Sequence, residues 1–200
     1  MKTSSLRLLL LLALATLAAD QVTKYLAVSE LTTALDGREG AAARLEGFVQ
    51  ERHLRGQATR PHALVQDYWN FRYVENPGAA WGMFGGLPDG VRQSFFHVVS
   101  LAALGFILWM YVRLEPAQRR ARAALALLAG GALGNFTDRL MRGYVIDFID
   151  WHWRNQPGLR WPTFNVADVA ICVGVGLMLL DALRSRAPGV APLTERPLAE

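Results

Sequence analysis

Two aspartates sit in surroundings that suit a membrane better than water: Asp147 in Val145-Ile146-Asp147-Phe148-Ile149, and Asp168 in Phe164-Asn165-Val166-Ala167-Asp168. A carboxylate at membrane depth costs several kcal/mol, so its default reading is functional. Two carboxyls on segments able to pack together form a pair that shares protons, which is the equipment of an aspartic protease. Other polar residues keep helical spacing. Asn165, three residues before Asp168, reads as lying on the same helical face, where its amide can hydrogen-bond either carboxyl state. Asn135 and Asp138 repeat that spacing, with Arg139 beside them to pair with Asp138 or face headgroups. Asn135 is a candidate for binding substrate backbone, and Asp138 rivals Asp147 for catalysis on charge alone. Asp20 and Lys24, four apart in the order favoured for a helical ion pair, read either as a helix-end pair or as a direct substrate contact. Asn76 and Gly78 occupy a turn-like break, Asn76-Pro77-Gly78, within an aromatic stretch.

Positioning these groups falls to four apolar segments, over residues 6–28, 94–112, 121–140 and 164–183, each read as a spanning helix. In the first, Lys2 and Arg7 ahead of Leu8-Leu9-Leu10-Leu11-Leu12 also resemble a cleavable signal peptide ending at Ala13-Leu14-Ala15. A cut there leaves the apolar core short; a count through Ala27 gives a full span with Asp20, Gln21 and Lys24 near its far end. The second segment holds one ionisable side chain, His97, read as packed or interfacial. The third carries Ala126, Gly130 and Gly134 at four-residue spacing with Gly131 alongside, and the fourth carries Gly174 and Gly176. Small residues at such intervals let helix backbones approach closely in lipid. Between the first two segments, residues 36–62 are polar and weakly periodic, consistent with a helix or a mobile excursion. Trp69, Phe71, Tyr73, Val74 and Phe84 then favour strands, so a small extramembrane sheet or hairpin is expected. Trp151, Trp153 and Trp161, in the connection over residues 142–163, suit the membrane–water interface.

With 200 residues, 52% hydrophobic and 19% charged, the chain fits one membrane domain. The expected fold is an all-α membrane protein: four transmembrane helices with a small extramembrane β element. That domain covers residues 1–187, with an outer excursion over about 29–90 and a disordered tail at 188–200. The pI near 9.6 comes from scattered arginines without a basic run, so no nucleic acid partner is expected. Lys2, Arg7, the 113–122 loop (Arg113, Arg119, Arg120, Arg122), Arg184 and Arg186 on one side, against Arg139, Arg142, Arg154 and Arg160 on the other, favour both termini in the cytoplasm. The four histidines and Cys172 lack metal-ligand spacing, and no glycine-rich phosphate loop is present, so neither metal nor cofactor is expected. A proton- or ion-coupled carrier using the same carboxyls, and a non-enzymatic membrane scaffold, remain the rival classes. Carriage would depend on a gradient; proteolysis would not.

Five blocks, in order, carry a family resemblance. They are Asp20-Gln21-Val22-Thr23-Lys24, Asn76-Pro77-Gly78-Ala79-Ala80-Trp81-Gly82, Gly134-Asn135-Phe136-Thr137-Asp138-Arg139, Val145-Ile146-Asp147-Phe148 and Phe164-Asn165-Val166-Ala167-Asp168. Threaded through four apolar segments, they resemble bacterial lipoprotein signal peptidase, also called signal peptidase II. The resemblance implies an aspartic endopeptidase, with Asp147 and Asp168 as its catalytic dyad. It also implies that the chain removes signal peptides from diacylglyceryl-modified prolipoproteins, cutting just before the lipid-modified cysteine. Asn165 aligns with a residue that supports the dyad, and the segment with Asn76 and Gly78 with a strand-like cradle for extended substrate. Asp20, Lys24, Asn135, Asp138 and Arg139 are carried over as substrate-binding or supporting residues. The implied setting is the bacterial inner membrane, with lipidated prolipoproteins and membrane lipids as partners and a monomeric multi-pass protein.

Overall fold

The computed structural model describes residues 3–50, 57–79 and 83–185; Ala80-Trp81-Gly82 and the expected disordered tail lie outside them. Among the described residues, five α-helices and three strands follow one another as α1 (Thr3–Leu31), α2 (Ala41–Gln50), β1 (His62–Val65), β2 (Trp69–Asn76), α3 (Asp89–Arg113), α4 (Arg119–Arg142), β3 (Val145–Trp151) and α5 (Val166–Ser185). Three helical stretches, Leu6–Leu31, Asp89–Arg113 and Val166–Arg184, are long and apolar enough to cross a membrane. Their large side chains point outward: Leu11 and Val22 on α1, Val98 and Leu101 on α3, Leu179 and Leu183 on α5 are all exposed. Polar residues inside α1 do not end it near residue 28, because Asp20 and Lys24 turn inward and find partners there.

Helix α4, 24 residues long, is not among the three, so apolar character supports three of the expected four spans. It is the central helix, packed on α1, α3 and α5. Its alanines and glycines face neighbours, and Arg122, Asn135, Asp138 and Arg142 are buried in the interior. Burial inside a bundle removes the need for an apolar surface, so its composition is that of a core helix. The small-residue spacing works as expected, on two sides. A Cβ on Gly130 would lie 2.8 Å from the Ala13 carbonyl oxygen of α1, and one on Gly131 would lie 2.5 Å from the Ala167 carbonyl oxygen of α5. Gly134 likewise admits the Asp20 carboxylate.

Helix α4 stops at Gly143, whose φ of 79° supplies the left-handed C-cap that returns an N–H to the Arg139 carbonyl. The chain then enters β3. This strand occupies part of the connection over residues 142–163, for which no strand was expected, and it puts Asp147 on a sheet. The sheet is antiparallel in the order β1-β2-β3, with Asn76 opposite Val145 and Val74 opposite Asp147. A register shift between Phe71 and Val74 twists the pair next to Asp147. Phe84, expected in a strand, sits in a turn with φ of 64°. Within the polar 36–62 stretch, α2 packs Phe48 into a core with Val28, Leu31, Tyr73, Tyr144 and Ile146, tying the sheet to the end of α1.

The close approaches make a direct test. Gly131→Ala forces α4 and α5 apart beside Asp168, and a loss of about 1–3 kcal/mol is expected, read as a lower Tm in detergent. Gly105→Ala in α3 meets nothing within 4 Å and should hold or raise Tm, since alanine is the better helix former. Equal tolerance at both positions would show that the helices are not in this close contact.

Candidate active site

Asp147 comes from β3 and Asp168 from the first turn of α5. Asp147 is 2% exposed, and both its oxygens accept hydrogen bonds: Oδ1 from Asn165 Nδ2 at 2.7 Å and Oδ2 from Asn76 Nδ2 at 2.9 Å. Asp168, half-buried, accepts from Asn135 Nδ2 at 2.8 Å on Oδ1 and from the Asn165 N–H at 3.2 Å on Oδ2. Asn165 returns a bond, its Oδ1 accepting the Asp168 N–H at 3.0 Å. This reciprocal pattern is a capping box, and it corrects the expected position of Asn165. Asn165 stands before the first turn of α5, not on its face, because the cap geometry turns its amide towards both carboxyls.

Five of the expected residues, Asn76, Asn135, Asp147, Asn165 and Asp168, therefore meet. Asn165 Nδ2 also reaches Asn135 Oδ1 at 3.1 Å, so two asparagines bridge two aspartates. Asn76, at the end of β2, serves twice: its Nδ2 holds Asp147 and its Oδ1 accepts the Gly78 N–H at 3.1 Å, which forms the turn. Gly78 is buried under the Met83 carbonyl, where a Cβ would collide. Burial, first, and the neighbouring Asp168 carboxyl, second, push the Asp147 pKa up to about 7, against the two amide hydrogen bonds and the charge of Lys24. A groove of about 430 Å³ opens on this carboxyl, with walls that include Val74, Asn76, Pro77, Trp161 and Thr163. A carboxyl pair held by amide donors, with Asp147 lining a groove, can supply one acid and one base.

Asp138, the rival, is fully committed elsewhere. It lies 2.8 Å from Lys24 Nζ and 3.3 Å from Arg142 Nη1, and accepts the Ile146 N–H at 3.1 Å. Asp20 and Lys24 pair at 2.8 Å as their spacing predicts, but in the interior and fully buried, so this is neither a pair at a helix end nor a surface for substrate. Arg139 does not pair with Asp138. Its guanidinium stacks 4.6 Å over Phe96 and donates to the Gly78 carbonyl at 3.2 Å, linking α4 to the turn beside Asp147. Three contributors escaped the sequence reading. Arg142 could have been found from its spacing to Asp138, and Gln21, which bonds Asp20 and Asp138, from its place beside Asp20. Asp150 gave no local signal, because its partners, Arg72 of β2 and Arg160 ten residues on, keep no helical or strand spacing with it.

A family model described as Signal peptidase (SPase) II matches residues 12–184. Among similar proteins, the Lipoprotein signal peptidase of Anaeromyxobacter sp. (strain Fw109-5) is 52% identical over 175 residues, covering 86% of this chain and 83% of the relative. That of Syntrophotalea carbinolica (strain DSM 2380 / NBRC 103641 / GraBd1) is 37% identical over 94% of this chain and all of its own length. A bacterial membrane enzyme solved by the in meso method at 1.9 Å resolution is 26% identical, with a TM-score of 0.64 over 88% of this chain and 92% of that one. Another, solved at 2.3 Å, shares the fold, with a TM-score of 0.66 at 24% identity over 96% of this chain and 94% of that one. With the match running through both carboxyl-bearing segments, the chain belongs to the signal peptidase (SPase) II family.

Proposed function

We propose that this bacterial membrane protein is an aspartic endopeptidase that removes signal peptides from diacylglyceryl-modified prolipoproteins, cutting just before the lipid-modified cysteine. One observation carries the aspartic mechanism: Asp147 and Asp168, brought from a strand and a helix N-terminus, form a pair bridged by amides, with Asp147 lining a groove. Two carboxyls this close hold one proton between them near neutral pH. Asp147, the deeper, keeps that proton, and Asp168 serves as the base. Asp168 then takes a proton from water as the water oxygen bonds to the scissile carbonyl carbon, and Asp147 donates to the carbonyl oxygen. Collapse of the tetrahedral intermediate breaks the C–N bond. The proton held by Asp168 passes to the leaving amine of the lipidated cysteine, and Asp147 recovers its own.

Connectivity supports four spans. β2 leads into α3 and β3 into α5, so both of these helices start at the sheet end of the molecule. α4 starts where α3 finishes and ends at β3, and it therefore covers the same thickness in the opposite direction. Its 24 residues, at roughly 1.5 Å each, are long enough for a bilayer core. In this arrangement the dyad lies near the outer surface, and the exposed Trp151, Trp153 and Trp161 lie at its interface. Substrate, itself a membrane helix with a lipid anchor, arrives laterally and as a complex with a monomer. A reporter fused after Pro116 should be cytoplasmic and one after Gln156 external. The reverse pattern would overturn the orientation.

Asp147→Asn and Asp168→Asn are each expected to cut the cleavage rate of a lipidated substrate in detergent at least about a hundredfold, with the fold retained. Either variant keeping more than a few per cent of the wild-type rate would remove that residue from catalysis. The detergent assay also sets aside gradient-driven carriage.

The pH profile should be bell-shaped. Raising pH through about 7 strips the shared proton from the pair and removes the acid, so activity should fall on the alkaline side in that region. Single-turnover rates between about pH 4 and 9 would read both limbs. A rate that keeps climbing past pH 9 would contradict a shared-proton dyad.

A further inference from the structure

We infer that Lys24 is a positioning residue for the carboxyl pair: its ammonium fixes the Asn135 amide with the NH2 end towards Asp168, and supplies the positive charge behind the site. The inference rests on the reading of Asp147 and Asp168 as the catalytic pair. An ammonium has three N–H donors and no acceptor, and here each donor has one partner. They are Asp20 Oδ2 at 2.8 Å, Asp138 Oδ2 at 2.8 Å and Asn135 Oδ1 at 3.1 Å. Lys24 and both carboxylates are fully buried.

The consequence lies in the direction of the amides. An asparagine side chain can flip and exchange its oxygen for its nitrogen; an ammonium cannot become an acceptor. Asn135 Oδ1 faces Lys24 Nζ and Asn165 Nδ2, so Asn135 Nδ2 must face Asp168 Oδ1. Asn165 Nδ2 is in turn directed at Asp147 Oδ1, while its Oδ1 holds the Asp168 N–H. Polarity thus runs from a donor-only group through two amides to both carboxyls. Without it, a flipped Asn135 would present a carbonyl oxygen to Asp168 and oppose the ionised base.

The charges around Lys24 come from several elements. Asp20 shares α1 with it; α4 contributes Asp138, whose Oδ1 faces Arg142, and Arg139 near the pair; β3 contributes Asp147 and α5 Asp168. Asp20, Lys24, Asp138 and Arg142 together sum to zero formal charge, so changing one member alters the field at the dyad in a known direction.

The test compares pH profiles of lipidated-substrate cleavage by the full chain in detergent. Lys24→Met should lower kcat about tenfold or more with KM within about twofold, and move both limbs up by about one pH unit, because a positive charge is lost. Lys24→Arg should recover part of kcat and return the limbs. Asp20→Asn keeps Lys24 but removes a negative charge, so its limbs should move down. A structural lysine would instead lower Tm in all variants and leave the limbs where they were, and that result overturns the inference. If Lys24→Met yields no folded protein, Asp20→Asn decides alone: limbs shifted down support the role, and unmoved limbs overturn it. Failure of the dyad assignment itself would be seen separately, as activity surviving in Asp147→Asn or Asp168→Asn.

Discussion

Four buried charges cannot be left unpaired inside an apolar bundle, and satisfying them decides how this molecule is joined. Lys24 of α1 and Arg142 of α4 neutralise Asp20 and Asp138, and the remaining carboxylate capacity is spent on Gln21 and on backbone. Asp138 takes the Ile146 N–H and so pins β3 to α4; Asp20 takes the Ala167 N–H at 3.0 Å and so pins α5 to α1. Breaking a buried pair by removing one partner costs about 3–5 kcal/mol, since it leaves an uncompensated charge. Ile146 and Ala167 are the immediate neighbours of Asp147 and Asp168. The cluster therefore locates both carboxyl-bearing residues through the chain next to them.

The two carboxyls differ because a strand and a helix end deliver them. A strand alternates its side chains, so Ile146 enters the core while Asp147 faces the groove. A helix N-terminus instead offers free N–H groups, and the Asn165–Asp168 capping box uses them while turning both side chains towards β3. One carboxyl is consequently deep and hydrogen-bonded by side chains alone, and the other shallower and held partly by backbone. Such pairs of titratable groups in unlike environments are how acid and base roles separate.

Helix α4 makes the rest possible by being narrow. Gly130, Gly131 and Gly134 remove side-chain bulk from two sides of it, and only then can the Asp20 carboxylate and the N-terminal turn of α5 come close. On the outside, α1, α3 and α5 present the leucines, valines and phenylalanines that a bilayer solvates. The same division explains why its apolar character is weaker than that of its neighbours: the surface it would otherwise offer to lipid is covered by protein.

Much of this could be read along the chain. Charges in apolar runs, the four-residue spacing of Asp20 and Lys24, and glycines at helical intervals are local patterns whose physical meaning does not depend on the fold. They were enough to mark Asp147, Asp168 and the rival Asp138, to expect close-packed helices, and to bring in Asn135 and Asn165 by spacing; the family resemblance chose Asp147 over Asp138 and gave Asn76 its role. Tertiary structure decided what depends on partners distant in sequence. Val145–Trp151 is a strand because β2 lies alongside it, and a short apolar run carries no periodicity that could tell strand from helix. Asp138 and Arg139 are adjacent, yet one enters a buried ion cluster and the other stacks on Phe96, because successive residues on a helix point about 100° apart into different neighbours. Asp150 meets Arg72 and Arg160 only after the sheet has formed. Local spacing determines which groups could act together; only the packed chain determines which group each one meets.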